Sequence, residues 1–321
     1  MVTREAVTPN RGQLLIVGAV GLAVVLIALT LALNTAVYAD VYVGHSGDER
    51  HDEREIVRLH EDVERGITGA IFAGPVSDRG YDDLKTGVEA EVALLDDNLS
   101  HHAALDGKEV TVDAKEVRIV SHITQNETNE FRPYDDDQAH QWTLVERTDA
   151  VHAFNMTFDN LSVSHQCEGN HCFDLIVNGN EDDTWTLQAV TNADGEKQIS
   201  ITTSDGEVST HEQTASNVSI DLIEGNISDG DESSTFTPFV DDLDGADGYT
   251  IEFASGNNGS SGTYNLTVEG KAEEDNFAVG EPDASPRVEP EVVEVSVVVD
   301  VHSPRVSVLT EFVIMAGDDD G

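Results

Sequence analysis

The sequence predicts an α+β chain: an N-terminal transmembrane helix, short amphipathic helices, then an antiparallel β-sandwich-like ectodomain. Three observations lead there. Gln13 to Ala39 carries no charged residue. Apolar residues between Ile56 and Leu99 recur at three- and four-residue steps, the spacing of one helical face. From about Asp106 onward the period falls to two, the alternation of half-buried strands.

The apolar segment comes first. Leu14 to Leu33 is apolar apart from Thr30. At 1.5 Å per residue a helix of this length spans about 30 Å, the hydrocarbon thickness of a bilayer. Arg4 and Arg11 precede it and acidic sequence follows from Asp40. The positive-inside rule therefore puts residues 1–12 in the cytoplasm as a leader, 13–39 across the membrane and the remainder outside. Two processing schemes compete. A secretory signal peptide would be cut after Val37-Tyr38-Ala39, although its apolar region is normally about 7–15 residues. The other scheme rests on Arg11, Gly12 and Gln13: a basic residue, a glycine, then an uncharged residue opening the apolar helix.

That stretch, Arg11-Gly12-Gln13-Leu14-Leu15-Ile16-Val17 through Leu33-Asn34-Thr35, resembles the start of haloarchaeal type IV pilin-like surface proteins. The resemblance covers roughly the first 40 residues. It implies cleavage between Gly12 and Gln13 by a prepilin peptidase. It also implies a mature helix that stays in the bilayer or joins a filament core with other pilin-like subunits. Val17 departs from bacterial pilins, which carry a Glu at that fifth mature position; archaeal pilins often lack it. Small residues Gly18 and Gly21 would allow close helix packing, and an ordinary lipid-facing helix reads the same way.

After a polar spacer, Gly44 to Asp52, the apolar set Ile56, Leu59, Val63, Ile67 and Ile71 predicts one helix. Leu84, Val88, Val92, Leu95 and Leu99 predict a second, beginning near Asp82. Residues 40–105 thus read as a helical stalk, either paired with the ectodomain or solvated. Residues 106–316 read as the β-rich domain. Val293 to Val301 and Val306 to Ile314 predict a terminal hairpin. Trp185-Leu187-Ala189 and Ile199-Ile201 flank Asn192 to Gly195 as a second. Tyr249-Ile251-Phe253 and Tyr264-Leu266-Val268 flank Ser255 to Gly262 as a third. Turn dipeptides punctuate the rest at Asp106-Gly107, Asn178-Gly179, Asp205-Gly206, Asp229-Gly230 and Asp247-Gly248. Lys271 to Pro290 is acidic and contains prolines, and reads as a mobile loop. Residues 317–321 read as a short acidic tail.

Charge narrows the setting. The formal net charge is −46, from 63 acidic against 17 basic side chains. Self-repulsion of this size opposes compaction in dilute buffer, and a Debye length of about 3 Å at 1 M salt removes most of it. A folded chain this acidic points to a high-salt habitat. It excludes nucleic acid as a partner, which needs basic patches, and leaves the lipid bilayer as the partner of the apolar helix.

Asn-x-Ser/Thr occurs at Asn98, Asn126, Asn155, Asn160, Asn217, Asn226, Asn258 and Asn265. Chance predicts about two or three from this composition under the motif definition. All eight follow Asp40, as expected of a glycosylated outer surface. The competing reading is Asn and Ser/Thr coinciding in turns and strands.

Sites for chemistry are few. His165 to Cys172 gathers two His and two Cys, Cys167 and Cys172. Their spacing matches no closed zinc pattern, and outside a cell a local disulfide is the default. Asp241 to Gly248 resembles a calcium loop faintly, but no acid stands twelve positions along from Asp242. Gly44-His45-Ser46-Gly47 lacks the strand–turn–helix setting of a serine nucleophile. No paired acid/base site, phosphate loop or nucleotide motif is present. The sequence thus predicts a binding or structural protein rather than an enzyme, with no cofactor and no metal.

Overall fold

The computed structural model describes residues 61–315, apart from residues 62, 70–78, 106, 137, 164–171, 181–182, 216, 231, 246, 257, 282 and 304–306. The leader, the apolar run and the acidic tail lie outside the described residues. No described helix is long and apolar enough to cross a membrane.

His60–Gly321 forms one compact unit. Its described residues are mostly β, with one long described helix, α1 (Tyr81–Leu105). Fifteen described strands form two sheets. The nine-stranded sheet contains β1 (Glu109–Glu130), β3 (Val151–Asn160), β8 (Val218–Asp221), β9 (Asn226–Ser228), β10 (Ser233–Thr235), β12 (Ser261–Glu269), β13 (Ala278–Val279), β14 (Arg287–His302) and β15 (Ser307–Met315). Its order is β10-β9-β8-β3-β12-β1-β14-β13, with β15 also on β14. The six-stranded sheet runs β2 (Gln141–Thr148), β11 (Tyr249–Ala254), β4 (Phe173–Asn178), β5 (Thr184–Thr191), β6 (Lys197–Thr202), β7 (Val208–Gln213). Pairing is antiparallel throughout except between β13 and β14.

Alternation explains how the sheets meet. Every second residue of β4, β11 and β12 is buried, as are Phe154, Met156 and Phe158 of β3 and Trp185, Leu187 and Ala189 of β5, because successive side chains point to opposite faces of a strand. One apolar cluster draws on both sheets: Phe154, Met156 and Leu266 from one, Leu175, Trp185 and Ile251 from the other. The arrangement is β-sandwich-like, the two sheets meeting over this shared cluster. Phe131, fully buried just after β1, sits at its middle. Its ring lies 5.4 Å from Phe158, 4.8 Å from Phe173 and 5.6 Å from Phe253, so it touches strands of both sheets.

A second, smaller core lies where β1, β14 and β15 are backed by helices. Val110 and Val112 of β1, Val295, Val297, Val299 and Val301 of β14 and Ile314 of β15 are buried there with Leu84, Val88 and Val92 of α1. Leu95 and Leu99, predicted on the same apolar face, are half-buried. Val63 and Ile67, from the helical residues 63–69, are buried as well, and Gly66 packs against the Leu95 side chain. Ser100 Oγ donates to the Val110 carbonyl (2.5 Å), and Val112 N–H donates to Asp96 (2.7 Å). α1 is therefore docked on the sheet, and residues 63–69 pack against α1.

Three local expectations change. First, β11 and β12 do not form a hairpin. β11 pairs with β2 and β4, β12 with β1 and β3, and Ser255–Gly262 crosses between the sheets. The crossing needs glycine: a methyl group on Gly256 would collide with the Phe131 carbonyl, and one on Gly262 with the Thr157 carbonyl. Phe253 and Tyr264 then meet edge to face across the core, 5.3 Å apart. Second, Lys271–Pro290 is structured. It holds a 3-10 turn (Glu274–Asn276), β13 and the start of β14, and buries Ala272, Phe277, Ala278 and Val288. Glu274 accepts from the N–H of Tyr81 (2.5 Å), satisfying an open donor at the start of α1. Third, the valine alternation of β14 slips. Ile119 pairs with Val292 and Arg118 with Glu294, which leaves Val293 as the extra residue of a bulge. Val292 is buried in its stead. The other two predicted hairpins form, as β5–β6 and β14–β15.

Candidate functional surface

The predicted site residues that the structure brings together are sequon asparagines, on the outer face of the nine-stranded sheet. Strand periodicity puts them there. In Asn155-Met156-Thr157 and Asn265-Leu266-Thr267 the middle residue is buried and the asparagine exposed. Asn226-Ile227-Ser228 follows the same out-in-out course.

The registers align these residues. Asn226 pairs with Asp221, Asp221 with Asn155, Asn155 with Asn265, Asn265 with Thr124, and Thr124 with Arg287. This polar row crosses six strands, which at about 4.8 Å per strand is roughly 24 Å. The hydroxyls beside it are tied in: Thr157 and Ser219 lie 3.2 Å apart, and Thr267 lies 3.1 Å from His122 Nδ1. His122 Nε2 in turn meets Glu291 at 2.9 Å. Arg118 clamps one end of the face. It holds Glu269 of β12 (2.9 and 3.1 Å) and Glu294 of β14 (2.7 Å), bridging both neighbours of β1. The guanidinium hydrogen bond holds the Glu269 carboxyl below its ordinary range and pushes the arginine up. Neither the clamp nor the Asn155–Asn265–Thr124–Arg287 part of the row is visible in local sequence, because those partners are more than a hundred residues apart.

The remaining sequons divide. Asn126, Asn160 and Asn217 are exposed on or beside strands of the same sheet, and Asn98 is exposed on α1. Asn160 Nδ2 donates to Ser261 (3.1 Å), and Asn98 Nδ2 to the Leu94 carbonyl (2.8 Å). Asn258 differs. Its amide nitrogen is buried within the β11–β12 crossing, and its carbonyl accepts from Ser162.

The six-stranded sheet presents hydroxyls and amides outward too, including Thr143, Thr186, Gln188, Ser200, Thr202 and Thr210, none of them buried. Asp174 lies among them. Burial raises its pKa, against the lowering effect of a 2.9 Å bond from Gln188. On the core side Lys197 is buried, donating to the carbonyls of Phe158 (2.6 Å) and Asp159 (2.9 Å), and burial lowers its pKa.

The other candidates of the sequence do not assemble. Cys172 is buried and disulfide-bonded; Cys167 and the ligand-rich loop around it lie outside the described residues. The acidic stretch Asp241–Gly248 opens on the last two residues of a short helix, α2 (Phe239–Asp242), and Asp242 accepts from the Ser204 N–H (2.7 Å). Among the described residues no three His, Cys, Asp or Glu side chains converge to hold a metal ion. An open hollow of about 550 Å³ is lined by Tyr134, Gly280, Glu281, Asp283, Ala284 and Ser285, and the Tyr134 hydroxyl donates to Glu281 there (3.0 Å). Gly44-His45-Ser46-Gly47 and Arg11-Gly12-Gln13 lie outside the described residues. No family model, curated protein or solved structure matches the chain.

Proposed function

We propose that this chain is a pilin-like, membrane-anchored cell-surface protein, a minor subunit or accessory of a type IV pilus-like system. The observation that carries the reading is the uncharged run Gln13–Ala39 headed by Arg11-Gly12-Gln13, placed ahead of a β-rich unit. The helix anchors in the bilayer or joins other pilin-like subunits after a prepilin peptidase cuts at Gly12. The β-sandwich stands outside the cell, with the N-terminus inside. The sequon excess, the exposure of most sequon asparagines and the disulfide at Cys172 support an extracellular, glycosylated domain. The acidic surface supports a high-salt, archaeal setting. The work of such a domain is contact and adhesion, not catalysis. Val17, where bacterial pilins carry Glu, favours a second reading: a stand-alone anchored adhesion domain that never polymerises.

Mass spectrometry of the mature N-terminus from native membranes tests this. A start at Gln13 is expected. A start at Met1 or Val2 would favour the stand-alone anchor. A start at Asp40 would make the protein a secreted one and defeat both readings.

A further inference from the structure

Strand alternation alone would scatter sequons over both sheets. It does not. β1, β3, β9 and β12 of the nine-stranded sheet carry Asn126, Asn155, Asn160, Asn226 and Asn265, and Asn217 immediately precedes β8. The six-stranded sheet carries none of the eight. Yet it follows the same out-in-out pattern with a side-chain amide and a hydroxyl at Gln141-Trp142-Thr143 and Gln198-Ile199-Ser200. The amide there is one methylene longer, and glutamine is not an acceptor in the motif. The two sheets thus share an out-in-out pattern of side-chain amide and hydroxyl, and only the nine-stranded one carries sequons in it.

The registers add a constraint within the sequon face. Asn155 and Asn265 stand directly opposite each other, both exposed on the same face. Cross-strand Cβ atoms so placed are about 4.5–5.5 Å apart. A sugar ring linked to either amide fills the space directly above the other. Asn258, by contrast, has no exposed amide nitrogen to modify.

We propose that Asn155 and Asn265 share a single glycan, and that the six-stranded sheet carries none. A folded molecule carries it on one or the other, and Asn258 stays bare. This rests on the extracellular, glycosylated reading above. The transfer is ordinary N-glycosylation from a lipid-phosphate-linked oligosaccharide. The asparagine Nδ2 bonds to the anomeric carbon and loses a proton. The bond from that carbon to the phosphate oxygen breaks, and the lipid phosphate leaves with the electron pair. Glycans then cover one sheet, while the six-stranded sheet keeps a sugar-free face.

The test is intact-mass spectrometry of the full chain expressed in a haloarchaeal host, with glycopeptide mapping. Wild type, Asn155→Gln and Asn265→Gln are expected to carry the same number of glycans, since either site replaces the other. The double variant is expected to carry one fewer. Loss of one glycan in each single variant would mean both sites are filled together and would overturn the sharing. An unchanged count in the double variant would show that neither site is used and overturn it too. A glycan on Asn258 would overturn the claim for that residue. A chain with no glycan at any site would instead remove the glycosylated reading beneath the proposal.

Discussion

Phe131→Ala should be among the most damaging single substitutions in the β-unit. The ring is fully buried and lies within 4.8–5.6 Å of Phe158, Phe173 and Phe253, joining both sheets at one point. Returning a phenylalanine side chain to water costs about 1.5–3 kcal/mol. The cavity left in a core that relaxes only partly raises the total to about 3–5 kcal/mol. Loss of two edge-to-face contacts, with Phe158 and Phe253, each about 0.5–1.5 kcal/mol, puts the expected value in the upper part of that range. For a unit of this size, 4 kcal/mol corresponds to a fall in Tm of about 8–16 °C. The assay is thermal and urea unfolding at fixed high salt, followed by tryptophan fluorescence; Trp142 belongs to the same core and its indole N–H donates to the Phe131 carbonyl (3.1 Å). Phe131→Leu, which keeps the apolar character and most of the volume but loses the ring–ring contacts, should cost less than the alanine variant. A loss under about 1.5 kcal/mol for the alanine variant would refute the claim that this ring bridges the sheets.

Other outcomes follow from the same structure. Gly262→Ala forces a methyl group into the Thr157 carbonyl on the neighbouring strand; it should destabilise by more than about 2 kcal/mol, and wild-type unfolding in this variant would contradict the crossing described here. Because the folded Glu269 carboxyl is held below its unfolded value by Arg118, its stabilising effect is present above the ordinary glutamate range and is lost as pH falls through the lowered value. Glu269→Gln should therefore flatten the acid limb of the stability–pH curve, and an unchanged limb would remove Arg118–Glu269 as a contributor. Glu274→Ala removes the acceptor for the Tyr81 N–H; proteolysis near Gly80 should accelerate several-fold with Tm nearly constant, whereas unchanged cleavage would show that water caps the helix equally well. Lowering salt from 1 M to 0.01 M lengthens the Debye length from about 3 to 30 Å. Tm should fall steadily, and a salt-independent Tm would detach the −46 charge from any high-salt adaptation.

Much of the sandwich was legible along the chain. Period-two burial in β5, β6, β12 and the Val295–Val301 part of β14, the β5–β6 and β14–β15 hairpins, and the apolar stripe Leu84, Val88, Val92 all follow from local patterning. Of the candidate surface, the sequons themselves could be read from the sequence, and their outward aim follows from the same alternation.

Tertiary structure decided which strands are neighbours. Tyr249–Phe253 and Tyr264–Val268 read as one hairpin because both alternate and a glycine-rich stretch separates them. Alternation says only that one face is buried, and two strands in opposite sheets bury theirs against the same core. The meeting of Asn155 and Asn265, the Arg118 clamp, the Val293 bulge and the cap that Glu274 provides for α1 all join residues far apart in the chain. Local periodicity fixes the direction of a side chain but not its long-range partner. That partner is set by closure of the two sheets over Phe131 and by docking of the helix on β1 and β14.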